Sequence, residues 1–248
     1  MNAAVTVFFL IIKVFSLYFL AVSLFGLCRR RTPEPAARLR RFAVLIAARN
    51  EESCIAGLIE SLRAQHYPPE LVDIWVLPNN CTDRTAEAAR RAGAQVLEMP
   101  ASVRSKGAAL HTAAKALLRS TRNYDAFCVF DADNEADPAF LSEMNRALDR
   151  TAIVKSRILA KNRTQAGISA CYEIYFCSAN HFLNRAREAM GLSARVIGTG
   201  FAIRRDLLEA LDGFPCRTLT EDAELYAACL CRGARIGYCE TAVTYDEE

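Results

Sequence analysis

Two acidic pairs have the types and spacing that could do chemistry. Asp131 and Asp133 stand two apart, directly after the apolar run AFCVF. In a strand, residues i and i+2 point to the same side, so both carboxylates could contact one Mg²⁺ or Mn²⁺ ion shared with phosphate oxygens. The alternative is a polar strand end followed by a helix cap. Glu221 and Asp222 begin a predicted helix, where the helix dipole favours anions. Alternatively, one of these carboxylates accepts a proton from a nucleophilic hydroxyl.

Four further turns could bind a nucleotide. The segments AARNEE (47–52) and PNNCTD (78–83) each end a predicted strand and place short polar groups where a base or ribose could bind. Helix capping, by Asn50 in the first segment, is the alternative. Lys106 falls in the first turn of a predicted helix, where cations are disfavoured, so we expect an anion such as a phosphate beside it. The turn GTG (198–200) allows close backbone approach to a ligand, or is simply a tight turn.

These motifs are separated by alternating strands and helices. Apolar runs of strand length occur at 42–49, 73–78, 94–100 and 126–130, and each is followed by a helical pattern. Asn50 is the predicted cap of the first helix in this series, Ser105 begins another that ends near 119, and Asp137 caps the next. Continuous apolar strands alternating with amphipathic helices predict an α/β fold with a mostly parallel sheet and helices on both faces. Ligands bind outside the carboxyl ends of such strands, and three of the four ends carry a motif.

The second half of the chain has a less regular pattern. We predict a strand at 153–159, a long helix at about 165–190, a strand after the GTG turn, a helix at 220–232 and a closing strand.

The first residues predict a membrane anchor. Residues 3–27 are apolar apart from Lys13 and small hydroxyl side chains, and about 20 apolar residues suffice to cross a bilayer as a helix. The segment has neither the basic start nor the small-residue cleavage site of a signal peptide. Residues 28–41 contain six arginines and form a basic juxtamembrane linker, which by the positive-inside rule places residues 42–248 in the cytoplasm.

Composition excludes several classes of protein. Hydrophobic residues make up 52% and charged residues 24% of the chain, which excludes a disordered chain. The net charge of +3 does not indicate a nucleic-acid partner. The ten cysteines include no CxxC pair, so we expect buried, reduced thiols rather than zinc ligands or disulfides.

Together the motifs resemble a known family. The segments AARNEE, NNCTDRT, SKGAAL, FDADN, GTGFAIRR and LTEDAEL occur in the order and spacing of processive-type family 2 glycosyltransferases, which have the GT-A fold. The resemblance covers residues 42–248. An N-terminal helix with a basic flank is similar to bacterial members of the inner membrane.

The resemblance implies a role for each motif. Asp131 and Asp133 would form the DxD motif, with Asp133 the principal ligand of Mg²⁺ or Mn²⁺, and Lys106 would approach the diphosphate. Asp222 would be the general base, paired in sequence with Glu221. The nucleotide pocket and the floor of the sugar and acceptor site would be formed by Ala48, Asn50, Glu51, Asn79 (at the uracil, where the family usually has Asp), Gly198, Thr199 and Gly200.

The implied reaction is an inverting, hexosyltransferase-type transfer from a UDP-sugar to a hydroxyl group of a lipid or growing polysaccharide, without a covalent enzyme intermediate. The family's QxxRW motif is absent from these 248 residues. We therefore expect either a longer natural chain or a partner subunit that supplies this segment. Two alternatives remain: a degenerate nucleotide-binding subunit or anchor of a glycan synthase, and a sugar nucleotidyltransferase, although AARNEE lacks the glycine pattern typical of the latter.

Overall fold

The computed structural model describes residues 3–27, 35–161, 167–215, 218 and 220–247. Helix α1 (Ala3–Phe25) is the one helix in these ranges that is long and apolar enough to cross a membrane. Its side chains are almost all exposed, but Val22 near its end and the following Gly26 are buried. The predicted apolar helix is therefore present, and its C-terminal end packs against the rest of the chain.

An eight-stranded mixed sheet forms the centre of the domain. Its spatial order is β3-β2-β1-β4-β7-β6-β8-β5. The strands are β1 (Phe42–Ala48), β2 (Val72–Pro78), β3 (Gln95–Val96), β4 (Ala126–Asp131), β5 (Glu135–Ala136), β6 (Ile153–Ala160), β7 (Phe201–Arg204) and β8 (Ile236–Asp246). The first four strands are mutually parallel, whereas β7 is antiparallel to both of its neighbours, β4 and β6. The structure confirms the predicted α/β sheet and adds reversed strands to it.

Helices cover both faces of this sheet. They are α2 (Ile55–Arg63), α3 (Thr85–Arg91), α4 (Lys106–Leu118), α5 (Phe140–Ala147), α6 (Gly167–Ser178), α7 (Ala186–Ala189), α8 (Arg205–Ala210) and α9 (Glu221–Cys231), and a π-helical segment (Ala179–Arg185) joins α6 to α7. Alternate residues of β1 enter the two cores: Val44 packs with α2 and α5, and Leu45 packs with α4 and α9. Because both faces are covered, the strand is apolar at every position.

Several predicted elements differ in extent. The strand predicted at 94–100 is shorter: Gln95 and Val96 pair with β2, its single neighbour at this edge of the sheet, and the Leu97 N–H donates to the Val76 carbonyl (3.0 Å). The long helix predicted at 165–190 is interrupted by the π-helical segment, and residues 165 and 166 lie outside the described ranges. Helix α8 was not predicted.

The predicted helix caps have different outcomes. The Ser105 hydroxyl accepts a hydrogen bond from the Ala108 N–H (3.2 Å), as expected of an N-cap. Asp137 accepts from the Ala139 N–H (2.9 Å), just before α5. The prediction for Asn50 was wrong, because α2 begins five residues later, at Ile55. Asn50 has a φ of 61° and accepts from the N–H of Thr82 (2.8 Å) instead.

The end of the basic linker is part of the folded domain. Residues 28–34 lie outside the described ranges. Arg40 is buried, with one guanidinium nitrogen 2.6 Å from an Asp149 oxygen and another donating to the Asn145 carbonyl at 2.8 Å. This arginine therefore fixes the linker to the domain in addition to contributing positive charge.

The eight described cysteines are free thiols, and their burial varies. Cys128, Cys229 and Cys239 are buried, as expected, whereas Cys171, Cys177 and Cys231 are exposed. Cys28 and Cys216 lie outside the described residues.

Candidate active site

The polar turns meet at one edge of the sheet. Parallel pairing places Ala48 beside Pro78, and Ala47 beside Asp131. The Asn79 N–H donates to the Ala48 carbonyl (2.9 Å), which continues the ladder one residue beyond β2. The carboxyl ends of β1, β2 and β4 are therefore adjacent, and the motifs that follow them surround one site.

The two turns predicted to bind the nucleotide are in contact. Asn50 of the first accepts from Thr82 of the second, and the Glu51 N–H donates to the Thr85 hydroxyl (2.8 Å). Asn79 is buried, and its side-chain oxygen accepts from the Asn80 amide (2.8 Å). The bonds between the turns hold the Asn50 and Glu51 backbone beside the acidic edge.

Lys106 joins three of the motifs. Its ammonium lies 2.5 Å from an Asp131 carboxylate oxygen and donates to the Gly198 carbonyl at 2.8 Å. A Glu221 oxygen is 3.8 Å away. We predicted an anion near this lysine, because a cation in the first turn of a helix is otherwise disfavoured. The structure supplies carboxylates from two distant segments, so Lys106 is the centre of the charge arrangement.

Asp133 lies near Asp131 and is half-buried. Burial raises the pKa of Asp133, and the negative charge of Asp131 raises it further. Two carboxylates that repel each other in a half-buried setting gain from a divalent cation between them. Among the described residues, no group of three or more His, Cys, Asp or Glu side chains is placed to hold a metal ion. Carboxylate oxygens are ligands that Mg²⁺ and Mn²⁺ take in proteins, so Asp131 and Asp133 are the residues of this edge that could contribute to such a site.

A buried hydroxyl fixes the backbone of Asp131. The Asp131 N–H donates to the Thr199 hydroxyl (2.9 Å), and this hydroxyl donates to the Asn134 side-chain oxygen. Asn134 in turn donates to an Asp246 carboxylate oxygen (2.5 Å). Sequence analysis assigned no role to Asn134 or Asp246. The available signal was the position of Asn134 at the end of the FDADN motif.

The glycine turn requires glycine at its third position. Gly200 has a φ of 59°, and a Cβ there would lie 2.6 Å from the Ser156 hydroxyl and 2.7 Å from the Thr244 hydroxyl. A side chain at this point would be strained and would collide with β6 and β8. The turn is thereby held close to the sheet, which brings the Gly198 carbonyl within reach of Lys106.

A buried lysine supports the same turn. Lys155, on β6, donates from Nζ to the carbonyls of Thr199 (2.7 Å) and Gly200 (3.2 Å). Burial lowers the pKa of Lys155 to about 7, although the nearby carboxylates of Asp246 and Asp131 oppose this effect. Lys155 was not among the predicted site residues. Its signal was its place as one of two basic residues, with Arg157, inside the strand-like run IVKSRIL.

Asp222 and Glu221 begin α9 beside this turn. Together with Gly198 they line a small cavity whose other walls are apolar side chains, among them Leu110, Phe201 and Phe214. Asp222 is half-buried, and one of its oxygens accepts from the Ala223 N–H (2.7 Å). The second acidic pair is thus connected to the first through Gly198 and Lys106, although the two are about 90 residues apart in the chain.

Residues 40–248 match the model of the family named glycosyltransferase like family 2. The chain belongs to this family. It is 26% identical over 227 residues to the probable glycosyltransferase YdaM of Bacillus subtilis, an alignment covering 87% of this chain and 52% of that protein. It is 28% identical over 193 residues to the beta-monoglucosyldiacylglycerol synthase of Synechocystis, covering 73% and 38%. The chain therefore spans about half the length of these relatives or less.

Solved structures show the same fold. The mannosyltransferase PcManGT of Pyrobaculum calidifontis, in complex with GDP-Man and Mn²⁺, matches with a TM-score of 0.74 at 20% identity, over 93% of this chain and 63% of that one. Glucosyl-3-phosphoglycerate synthase of Mycobacterium tuberculosis, with Mn²⁺ and UDP, matches with a TM-score of 0.58 at 23% identity, over 84% and 72%. These matches confirm the predicted GT-A glycosyltransferase fold.

Proposed function

We propose that this chain is a membrane-anchored, metal-dependent glycosyltransferase that moves a sugar from a UDP-sugar to a hydroxyl group of a lipid or growing polysaccharide at the cytoplasmic face. The observation that carries the proposal is the position of Lys106 between Asp131, the Gly198 carbonyl and Glu221 at the carboxyl edge of the sheet. The carboxylates of the two acidic pairs outnumber this ammonium, so a negative diphosphate is accommodated here by Lys106 together with a divalent cation, which the proposal requires.

The nucleotide end of the donor binds where the first two turns meet. Asn79 offers an amide to the base, and Asn50 and Glu51 border the same pocket. The Lys106 ammonium contacts the diphosphate. Asp131 and Asp133 would hold a divalent ion, which would supply further charge stabilisation to the leaving UDP. Thr199 and Asn134 keep Asp131 in position through its backbone N–H.

Asp222 is the proposed general base. The acceptor oxygen attacks the anomeric carbon, the bond between that carbon and the diphosphate oxygen breaks, and the acceptor proton passes to the Asp222 carboxylate. Attack opposite the leaving diphosphate inverts the anomeric centre. Glu221, one residue earlier, faces Lys106 and maintains the charge balance of the site.

Two features support a membrane lipid as the acceptor. One is the apolar helix α1, which is long enough to span a bilayer. The other is the similarity to beta-monoglucosyldiacylglycerol synthases, whose name describes a glycosylated membrane lipid. The arginines that follow α1 favour a cytoplasmic domain.

Turnover of a panel of UDP-sugars tests the proposal. The full chain in lipid nanodiscs should release UDP with diacylglycerol as acceptor, and removal of divalent ions with EDTA should abolish the activity. We expect both Asp133→Asn and Asp222→Asn to lower kcat by about 100-fold or more. Asp222→Asn should leave UDP binding unchanged in calorimetry, whereas Asp133→Asn should weaken it. Asp212→Asn, at an exposed turn, is the matched control.

Three outcomes contradict parts of the proposal. Unchanged turnover in Asp133→Asn or Asp222→Asn removes the assigned role. Binding of UDP without turnover of any donor favours a nucleotide-binding subunit that works with a partner polypeptide. Release of pyrophosphate instead of UDP favours a nucleotidyltransferase.

A further inference from the structure

The helical stretch from α6 to α7 has an exposed surface without charge. The structure describes every residue from 170 to 192, and those that are exposed are all uncharged. We call the exposed large side chains of this stretch the apolar face: Tyr172, Ile174, Tyr175, Phe182, Met190 and Leu192. Ile174 is 67% exposed and Phe182 is 50% exposed. Contiguous exposed apolar surface of this kind marks a contact with a membrane or another protein.

Three of the four arginine and glutamate side chains of the stretch contact the domain, and the fourth, Arg187, is partly exposed. Glu173 accepts from the backbone N–H of Ala160 (3.1 Å), and Glu188 pairs with Arg235 (2.8 Å). Arg185 lies 3.7 Å from Glu240. The amphipathic pattern is therefore largely reversed relative to a helix that faces water, since three charged side chains face the domain and the large exposed side chains are apolar or aromatic.

The end of α1 lies directly against this stretch. A Cβ at Gly26 would be 2.4 Å from the His181 carbonyl oxygen, so the two backbones touch where only glycine fits. Val22, one turn earlier on α1, is 3% exposed. The apolar face is thus fixed beside the point at which the candidate membrane-spanning helix reaches the domain.

The same stretch begins at the edge of the sheet that carries the acidic site. Strand β6 is antiparallel to β7, and β7 is antiparallel to β4, so β6 and β4 run in the same direction. Ala160 at the end of β6 and Asp131 at the end of β4 therefore lie at one edge. The bond from Ala160 to Glu173 ties α6 to that edge.

We propose that the apolar face is a second membrane contact, which lies in the lipid interface beside α1 and holds the opening of the acidic site against the bilayer. Tyrosines and apolar side chains on one face of a helix suit the boundary between headgroups and acyl chains. The inference rests on the proposed function in one respect: it takes from it that α1 spans the bilayer and that the domain lies on the cytoplasmic side. It adds a specific surface that would present a lipid hydroxyl to the site.

Spin-label accessibility tests this contact without any need for activity. The full chain is placed in nanodiscs of phosphatidylcholine and phosphatidylglycerol, with a nitroxide at Ile174→Cys and the other exposed thiols replaced by serine. Collisions with O₂ report lipid, and collisions with a water-soluble nickel complex report water. Cys231, exposed on α9, provides the matched control label. A label at Phe15→Cys, on the exposed surface of α1, reports separately on the anchor.

We expect the ratio of O₂ to nickel collision rates to be about fivefold or more higher at position 174 than at Cys231, because the interface excludes the nickel complex. A water-like ratio at 174, with a lipid-like ratio at 15, overturns the inference and leaves the anchor intact. Low rates with both reagents at 174 also overturn it, because they show that protein covers the face: further helices or a second copy. A water-like ratio at 15 contradicts the anchor itself. If Ile174→Cys does not fold, a label on the native Cys177 replaces it.

Discussion

The buried lysine beneath the glycine turn makes the stability of this protein depend on pH. Folding lowers the pKa of Lys155 from 10.5 to about 7, because burial disfavours its charged form. Each tenfold change in proton affinity corresponds to about 1.4 kcal/mol, so keeping the ammonium charged in the fold costs roughly 5 kcal/mol below pH 7. Between pH 7 and 10.5 the unfolded chain binds more protons at this residue than the folded chain, and stability therefore rises with pH.

The change can be measured over an accessible range. From pH 7 to pH 9 the contribution of Lys155 to the free energy of unfolding should rise by roughly 2 kcal/mol. For a domain of about 200 residues, this corresponds to roughly 5–9 °C in Tm. We expect the Tm of Lys155→Met to rise less between pH 7 and pH 9 than the Tm of the parent protein. Methionine fills a similar volume and has no titratable group, so the contribution of Lys155 is absent.

Thermal unfolding in dodecyl maltoside with EDTA, followed by the fluorescence of Trp75, provides the measurement. Lys115→Met, which removes a lysine that pairs with Asp212 at the surface, controls for the loss of a lysine elsewhere. The relevant quantity is the difference in Tm between variant and parent as a function of pH, which cancels the titration of other groups. Parallel curves for Lys155→Met and the parent protein would refute the reasoning, because the lysine would then have the same pKa in both states.

Three further substitutions test the contacts around the site. Thr199→Val should destabilise the fold by about 1–3 kcal/mol and weaken UDP binding, since the Asp131 N–H loses its nearer acceptor and keeps only the Asn134 side-chain oxygen at 3.3 Å; an unchanged Tm and UDP affinity would contradict this. Gly200→Ala should cost about 1–3 kcal/mol through backbone strain and a collision. Gly191→Ala, also at positive φ but in open space, should cost less, and equal losses would exclude the collision. Arg40→Met should lower the free energy of unfolding by about 1–3 kcal/mol, because the Asn145 carbonyl and the partly exposed Asp149 carboxylate lose their bonds to the buried guanidinium; an unchanged free energy of unfolding would show that these bonds do not stabilise the fold.

Much of the fold follows from local patterns. The strands at β1, β2 and β4 are continuous apolar runs, and polar residues mark where each one ends. The Ser105 cap could be predicted because a serine before a helix bonds to an N–H only three residues away. Asp131 and Asp133 could be placed at a strand end because Asp131 directly follows the apolar run AFCVF, which is also a local pattern.

Other features depend on contacts between distant segments. Asn50 has the residue type of a helix cap, yet its partner is Thr82 on the neighbouring turn. The position of β3 at the edge of the sheet, with β2 as its single neighbour, is likewise not specified by its own residues.

The sequence by itself determined most of the order of strands and helices (β5 and α8 excepted), the apolar N-terminal helix and the residue types that could bind a sugar nucleotide, because these depend on periodicities of two and 3.6 residues and on short polar turns. Only the tertiary structure decided that β7 enters the sheet in reverse between β4 and β6. That insertion brings Thr199 to Asp131 and the Gly198 carbonyl to Lys106, and it places Lys155 beneath the turn. Such pairings are selected by the packing of the whole sheet, and so they leave only faint signals in the segments that they join.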